Sequence, residues 1–326
     1  KWTTEYGRAY ARSFPGARTT PTIDGQQIYV ISGTGEVVCL DAEEGDIIWK
    51  VDGLDTFAGR QGNWGTAESP LVDERRVYYT PCGDQTTIVA LDKNTGDTVW
   101  KSKSLEDQSA YVSPVFAEHN GRRLLVTVTG RYIIGVDPKS GQMLWSYPYA
   151  KNHPTAEREM RLFINAISPV YHNGHIFATS GYDHVGLMLA LSADGSEVEL
   201  KWASEDFDCH HHGVVLVDDH IYGTNWHDNS KGNWLCADWN TGQIKYDISW
   251  NDNKGPIIYA DGMLYCYAEN DGTVGLAKAS PTGFDVVSSF EITVGKGKHW
   301  AHPSVANGRL YLRHGEYLLA YDVKAN

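Results

Sequence analysis

An aspartate followed four residues later by glycine, and eight residues later by tryptophan or tyrosine, recurs along this chain. Asp41 opens DAEEGDIIWK, Asp92 opens DKNTGDTVWK, Asp137 opens DPKSGQMLWS and Asp238 opens DWNTGQIKYD. Recurrence at intervals of about 40–55 residues decides the architecture before any single residue does, because each repeat is one supersecondary unit that stacks on its neighbours.

Each unit lies between two strand-like runs. EVVCL, TIVAL, YIIGV and WLCAD precede it, and DIIW, DTVW, QMLW and QIKY follow. An Asp side chain accepts from backbone amides ahead of it, and Gly takes the left-handed conformation that ends a tight turn. The unit therefore reads as a β-turn between two antiparallel strands, with the aromatic as a large apolar anchor. Upstream of each unit a second hairpin opens, as in ESPLVDERRVYYT from Glu68 and ISPVYHNGHIFATS from Ile167. Seven such openings can be read, from Thr19, Glu68, Val112, Ile167, Gly213, Gly255 and His302. Four short strands per period is a propeller blade. The expectation is an all-β, seven-bladed β-propeller forming one domain over residues 1–326, with eight blades as the alternative count.

Three repeats drift. SADGSEVELKW from Ser192 carries two extra residues before Trp202, ASPTGFDVV from Ala279 has Val287 in place of the aromatic, and the last repeat stops at YLLAYDVKAN. KWTTEYG at Lys1 resembles KWASEDF at Lys201, so the N-terminal segment is expected to supply the outer strand of the last blade and close the ring.

Composition narrows the function classes. The apolar fraction of 41% suits a packed globular protein. A formal net charge of −13 argues against nucleic acid and anionic membrane surfaces, both of which call for basic patches. No apolar run approaches the length of a bilayer span. Five cysteines, without a CxxC or an adjacent pair, read as small buried thiols. KWTTEYGRAY has neither an initiator Met nor a signal-peptide pattern, so a processed start and a periplasmic or extracellular setting are expected. The glycines of SGTGEV and GNWGTA do not make a nucleotide loop. NHPTAEREMRLF from Asn152 is the one helix-like insertion.

ALDKNTGDTVWK, VCLDAEEGDIIWK and GVDPKSGQMLW resemble the repeat of the PQQ-like, quinoprotein-type β-propellers. That group holds quinoprotein alcohol dehydrogenases and the outer-membrane assembly lipoprotein BamB. Two longer stretches, Gly62–Gly96 and His299–Asp322, resemble an exported bacterial subgroup. The resemblance implies three functions: a ligand-binding or catalytic propeller, a dehydrogenase using PQQ with Ca2+, or a scaffold with an envelope protein partner. Quinoprotein alcohol dehydrogenases carry eight blades, an adjacent Cys–Cys pair and an acidic calcium site, none of which is legible here.

Residues just before the seven openings are expected to converge in such a fold. Glu68, Tyr111, His211, His212 and His302 are the candidate acid–base residues, because imidazole titrates near neutrality and Tyr or Glu can partner it. Arg18, Trp64, Asn165, Lys254 and Trp300 are the candidate ligand-binding residues. Indole rings stack on sugar faces and the cations suit an anionic group, so a carbohydrate-like small molecule, with a uronic acid among the options, is the expected ligand. In an extended DCHHHG, His210 and His212 would point one way and His211 the other. A divalent metal held by histidines, with His299 and His302 nearby in the fold, is the other chemistry that this density of imidazoles suggests.

Overall fold

The repeat folds as its turn chemistry dictates. In all four turns the Asp side chain accepts from the amides two and three residues ahead: Asp41 from Glu43 and Glu44, Asp92 from Asn94 and Thr95, and likewise at Asp137 and Asp238. The glycine donates its N–H to the carbonyl of that Asp at 2.8–3.0 Å. Its φ lies between 70 and 81° at Gly45, Gly96, Gly141 and Gly242. Only glycine adopts this conformation without strain.

The computed structural model describes residues 1–14, 16–149 and 164–324, so the helix-like insertion at Asn152–Phe163 lies outside the described residues. The protein is all-β, a seven-bladed β-propeller, and one short helix, α1 (Gly53–Phe57), is its single α-helix among them. The first sheet is β1 (Thr22–Asp24), β2 (Gln27–Ile31), β3 (Glu36–Asp41) and β4 (Ile47–Asp52). The second is β5 (Leu71–Val72), β6 (Arg76–Tyr79), β7 (Val89–Asp92) and β8 (Thr98–Lys101). The third is β9 (Val115–His119), β10 (Arg122–Val128), β11 (Tyr132–Val136) and β12 (Met143–Pro148). The fourth runs in order through β13 (Val170–His172), β14 (His175–Ala178), β15 (Gly186–Leu191) and β16 (Val198–Ser204).

The fifth sheet is β17 (Val215–Val217), β18 (His220–Thr224), β19 (Trp234–Asp238) and β20 (Ile244–Ile248). The sixth is β21 (Ile257–Ala260), β22 (Met263–Tyr267), β23 (Thr273–Lys278) and β24 (Val286–Glu291). The seventh hydrogen-bonded ladder has three strands, β25 (Ser304–Ala306), β26 (Arg309–His314) and β27 (Tyr317–Asp322). A register shift recurs near the end of the third strand, between Cys39 and Leu40, Ala90 and Leu91, and at the same place in the third, fifth and sixth sheets. Such a bulge re-aims the chain into the Asp turn.

The chain divides into two compact units, residues 1–178 with 189–199, and residues 179–188 with 200–326. In the first unit the outer-strand tryptophan lies on the turn glycine of the next sheet. A Cβ on Gly96 would meet Trp49 at 2.8 Å, and one on Gly141 would meet Trp100 at 2.5 Å. The indole N–H of Trp49 donates to Lys93 O at 2.8 Å, and that of Trp100 to Pro138 O at 3.1 Å. Trp2 treats the first sheet identically, against Gly45 and with its N–H on Ala42 O at 3.2 Å. The N-terminal segment thus supplies the expected tryptophan, although residues 1–7 form no strand ladder. In the second unit Trp202 repeats the contact on Gly242 and Trp239 O.

The drifting fourth turn is held differently. His119 faces Ser192 O at 2.9 Å, Asn120 donates to Ala193 O at 2.8 Å and Arg122 to Asp194 O at 2.9 Å. Three side chains of the third sheet replace one indole.

Trp100→Ala removes a nearly buried indole and one hydrogen bond. It is expected to lower the unfolding free energy by about 3–5 kcal/mol, read from urea denaturation. A loss below about 1 kcal/mol would show that the indole does not couple the sheets.

Candidate functional site

Arg18, Trp64, Glu68, Tyr111 and Asn165 belong to the first unit, and His211, His212, Lys254, Trp300 and His302 to the second. In the first unit four of the five form one chain of contacts. The Arg18 guanidinium donates to Trp64 O at 2.5 Å, to Ser13 O at 2.7 Å and to Phe14 O at 2.9 Å. Trp64 donates its backbone N–H to the Tyr111 hydroxyl at 3.1 Å, and the two rings meet edge to face. Tyr111 N–H in turn donates to Asn165 O at 2.8 Å, while the Asn165 amide donates to Thr129 O and Gly130 O. Backbone carbonyls therefore already answer the cation expected to neutralise a ligand. A cavity of about 630 Å³ opens beside this chain, among Tyr10, Arg12, Thr34, Leu54, Gln61 and Asn63; none of the five lines it, although the Arg18 guanidinium lies 5.1 Å over the Tyr10 ring. Its shape alone assigns it no chemistry.

Glu68 stands apart from that chain. It is 2% exposed, and accepts from the Thr80 N–H at 3.1 Å and the Thr80 hydroxyl at 3.0 Å. Burial pushes its carboxyl up to about 8 against the pull of those hydrogen bonds.

The second unit concentrates the chemistry. The DCHHHG segment is not extended: it bends at His211 and His212 and ends on Gly213 at φ 74°. The alternation expected of a strand is therefore replaced by a cluster, with ring centroids 4.2 Å apart for His210–His211 and 4.3 Å for His211–His212. Beneath them lies Glu269, a residue absent from the predicted set. It is 1% exposed and gathers three of the predicted side chains. His212 Nε2 stands 3.0 Å from its Oε2, Trp300 Nε1 donates to the same oxygen at 2.9 Å, and Lys254 Nζ is 3.1 Å from Oε1. The Lys254 ammonium also donates to Asp228 O at 2.7 Å and to Lys231 O at 3.3 Å.

The far nitrogen of His212 meets the Thr224 hydroxyl at 3.2 Å. His302 reaches the cluster through His211 O at 3.2 Å. The His299 side chain does not: it takes Tyr267 OH at 2.5 Å and stacks on His314 at 3.6 Å, while its backbone N–H donates to Glu269 O at 3.0 Å.

Burial sets the charge state of the cluster. It holds His211 and His212 well below the usual imidazole range, with neighbouring imidazoles adding to the effect, and lowers His210 to about 4. All three are neutral at pH 7, each able to donate from one nitrogen and accept at the other. Burial also lowers the Lys254 pKa, opposed by the Glu269 carboxylate. The site is thus a floor of His212, Glu269 and Lys254, beneath half-buried His210, His211 and Trp300 and exposed His302. Glu269 escapes a search confined to blade openings because it follows a second strand, in YCYAEND. Its signal is a carboxylate two residues past the second strand, where other sheets place Gly33, Pro81, Gly130 or Trp226.

A family model described as "Outer membrane protein assembly factor BamB" matches residues 2–248. The chain belongs to this family. The BamB of Kangiella koreensis is 25% identical over 179 residues, covering 55% of this chain and 39% of that protein. A quinoprotein ethanol dehydrogenase of Pseudomonas aeruginosa is 25% identical over 172 residues, 47% of this chain and 26% of that enzyme. The chain thus spans less than half the length of either. Among solved structures, BamB from Moraxella catarrhalis matches with a TM-score of 0.68 at 17% identity, covering 93% of this chain and 84% of that one. A europium-containing methanol dehydrogenase matches at 0.66 and 15% identity, covering 99% and 78%. At such identities the likeness establishes the fold alone.

The quinoprotein relative raises a cofactor that the residues here do not fit. A hard cation of the calcium or lanthanide type takes an all-oxygen donor set. Among the described residues, the one grouping of metal-competent donors is His211, His212 and Glu269, two of which offer nitrogen. The five cysteines are separate buried thiols.

Glu68 provides a pH test of the first unit. Its folded pKa is raised from 4.5 to about 8, so its stability contribution is complete below about pH 4.5 and is lost as pH rises through about 8. The loss is at most about 5 kcal/mol. Glu68→Gln is expected to flatten the fall in melting temperature between about pH 5 and pH 9 relative to wild type. Parallel curves for the two proteins would contradict the assignment.

Proposed function

We propose that the protein works in the bacterial envelope or outside the cell, and that its second unit binds a hydroxyl-rich, carbohydrate-like ligand at the face made by His210, His211, Trp300 and His302. One observation carries the reading: Trp300 is a half-buried indole whose N–H is fixed on buried Glu269 beside a row of neutral imidazoles. A fixed aromatic plate suits the apolar face of a sugar ring, and neutral imidazoles suit hydroxyls that both donate and accept. Lys254 and Arg18 are engaged by Glu269 and by backbone carbonyls, which favours a neutral polyol over a uronate. Where turnover accompanies binding, exposed His302 is the group placed to move a proton, with His211 beside it and His212 on Glu269. In the first unit Tyr111 is engaged by Trp64 and Asn165, and Glu68 by Thr80. A divalent metal among the histidines is compatible with this reading.

Family membership favours a second reading, a non-catalytic partner-binding protein of the envelope. It accounts less well for a buried Lys–Glu–His floor, for which a scaffold has no evident use.

Calorimetric titration with a panel of neutral and uronate oligosaccharides separates the two. At least one neutral saccharide is expected to bind, with Trp300→Ala weakening it about tenfold or more, as loss of one stacking plate implies. Absence of binding across the panel, or equal affinity in the variant, would reject the saccharide reading and leave the scaffold.

A further inference from the structure

We infer that His211, His212 and Glu269 bind one divalent transition-metal ion, zinc being the ion their donors suit. Their ligand atoms lie within 4.8 Å of one another. Tetrahedral zinc at its usual bond lengths sets its donors about 3.3 Å apart. His212 Nε2 and Glu269 Oε2 already stand at 3.0 Å, so the remaining closure falls on His211. Its ring sits in a bend two residues before Gly213, and its Nδ1, like that of His210, is buried without a hydrogen-bond partner. Native structures seldom leave a buried polar nitrogen so, and a metal ion would satisfy it. Two imidazoles and one carboxylate form a borderline donor set, right for zinc and wrong for calcium.

The surrounding shell is built for the same task. A ligating imidazole normally donates its other N–H to a fixed acceptor, and the Thr224 hydroxyl stands 3.2 Å from His212 Nδ1. On metal binding His212 keeps one proton, which passes from Nε2 to Nδ1 and onto Thr224 Oγ1 as a hydrogen bond, while the freed Nε2 lone pair takes the ion. Glu269 Oε2 has a second lone pair for the metal while it accepts from Trp300. Lys254 opposes a dication; its ammonium stands 3.1 Å from Oε1, on the far oxygen of the carboxylate, and donates to two backbone carbonyls. Three protein donors leave the fourth position to water or to a ligand hydroxyl.

This deepens the ligand reading and rests on the same face, but the two fail separately. The test is titration of the chelator-stripped, tag-free full chain with zinc, followed by elemental analysis, and with cobalt as a spectroscopic probe. One equivalent of zinc is expected, with the cobalt spectrum of mixed nitrogen and oxygen ligation. His211→Ala and Glu269→Gln are each expected to weaken zinc binding about tenfold or more, and His220→Ala, whose ring lies on Asp218 O outside the cluster, to leave it unchanged. Because Glu269→Gln strips buried Lys254 of its partner and destabilises the fold, His211→Ala, at a half-buried bend, is the deciding variant. Substoichiometric zinc, or full affinity in a folded His211→Ala protein, would overturn the inference. A chain that binds zinc but no saccharide removes the ligand reading alone. One that binds saccharide but no metal removes this inference alone.

Discussion

The contact of an indole with a neighbouring turn glycine is what the rest of the structure depends on. Each four-stranded sheet is too small to bury its own faces, so stability comes from how one sheet grips the next. The grip has two parts at Trp2, Trp49, Trp100 and Trp202: the ring covers a glycine, and its N–H donates to the carbonyl one residue after the turn aspartate. The glycine is therefore constrained twice, by its positive φ and by the ring against it. The aspartate shapes the loop that presents the carbonyl. The Asp and Gly of one turn and the Trp of the preceding strand thus make one mechanical joint, and its repetition makes the fold.

Joints of this kind free the other ends of the strands for chemistry. In the second unit that freedom holds a fully buried ion pair, Lys254–Glu269, with His212 and Trp300 on the same carboxylate. Charges buried this deeply are costly unless each is matched, and removing one partner leaves the other stranded. The same network turns Trp300, lodges His212 between Thr224 and Glu269, and leaves the ring of His211 short of partners. Rigid floor and unfilled rim are two consequences of one carboxylate.

The turns and their aromatic anchors were legible in the sequence because Asp, Gly and Trp recur at fixed offsets, whereas the grip of Trp49 on Gly96 of the next sheet comes only from the fold. The substitute joint at the fourth turn was not legible, since His119, Asn120 and Arg122 lie some seventy positions from the carbonyls they hold. The histidines were legible as a dense set, but their geometry was not. Alternation assumes an extended chain, and the bend before Gly213 brings neighbouring rings onto one another. Glu269 lies past β22, away from the blade openings, and no recurring local pattern marks it. Lys254 and Arg18 look like free cations in a sequence, and only the fold reveals the carboxylate and carbonyls that engage them. His299 illustrates the reverse error: close to His302 in sequence, it belongs to a different pairing.

The central claim is that Glu269 and Lys254 are one buried unit on which the site is built. A double-mutant cycle with Lys254→Met and Glu269→Gln, read by urea unfolding, tests it most directly. Each single change is expected to cost about 3–5 kcal/mol and the double far less than their sum, a coupling of about 2 kcal/mol or more. Losses that add to within about 0.5 kcal/mol would show two independent side chains and contradict the account.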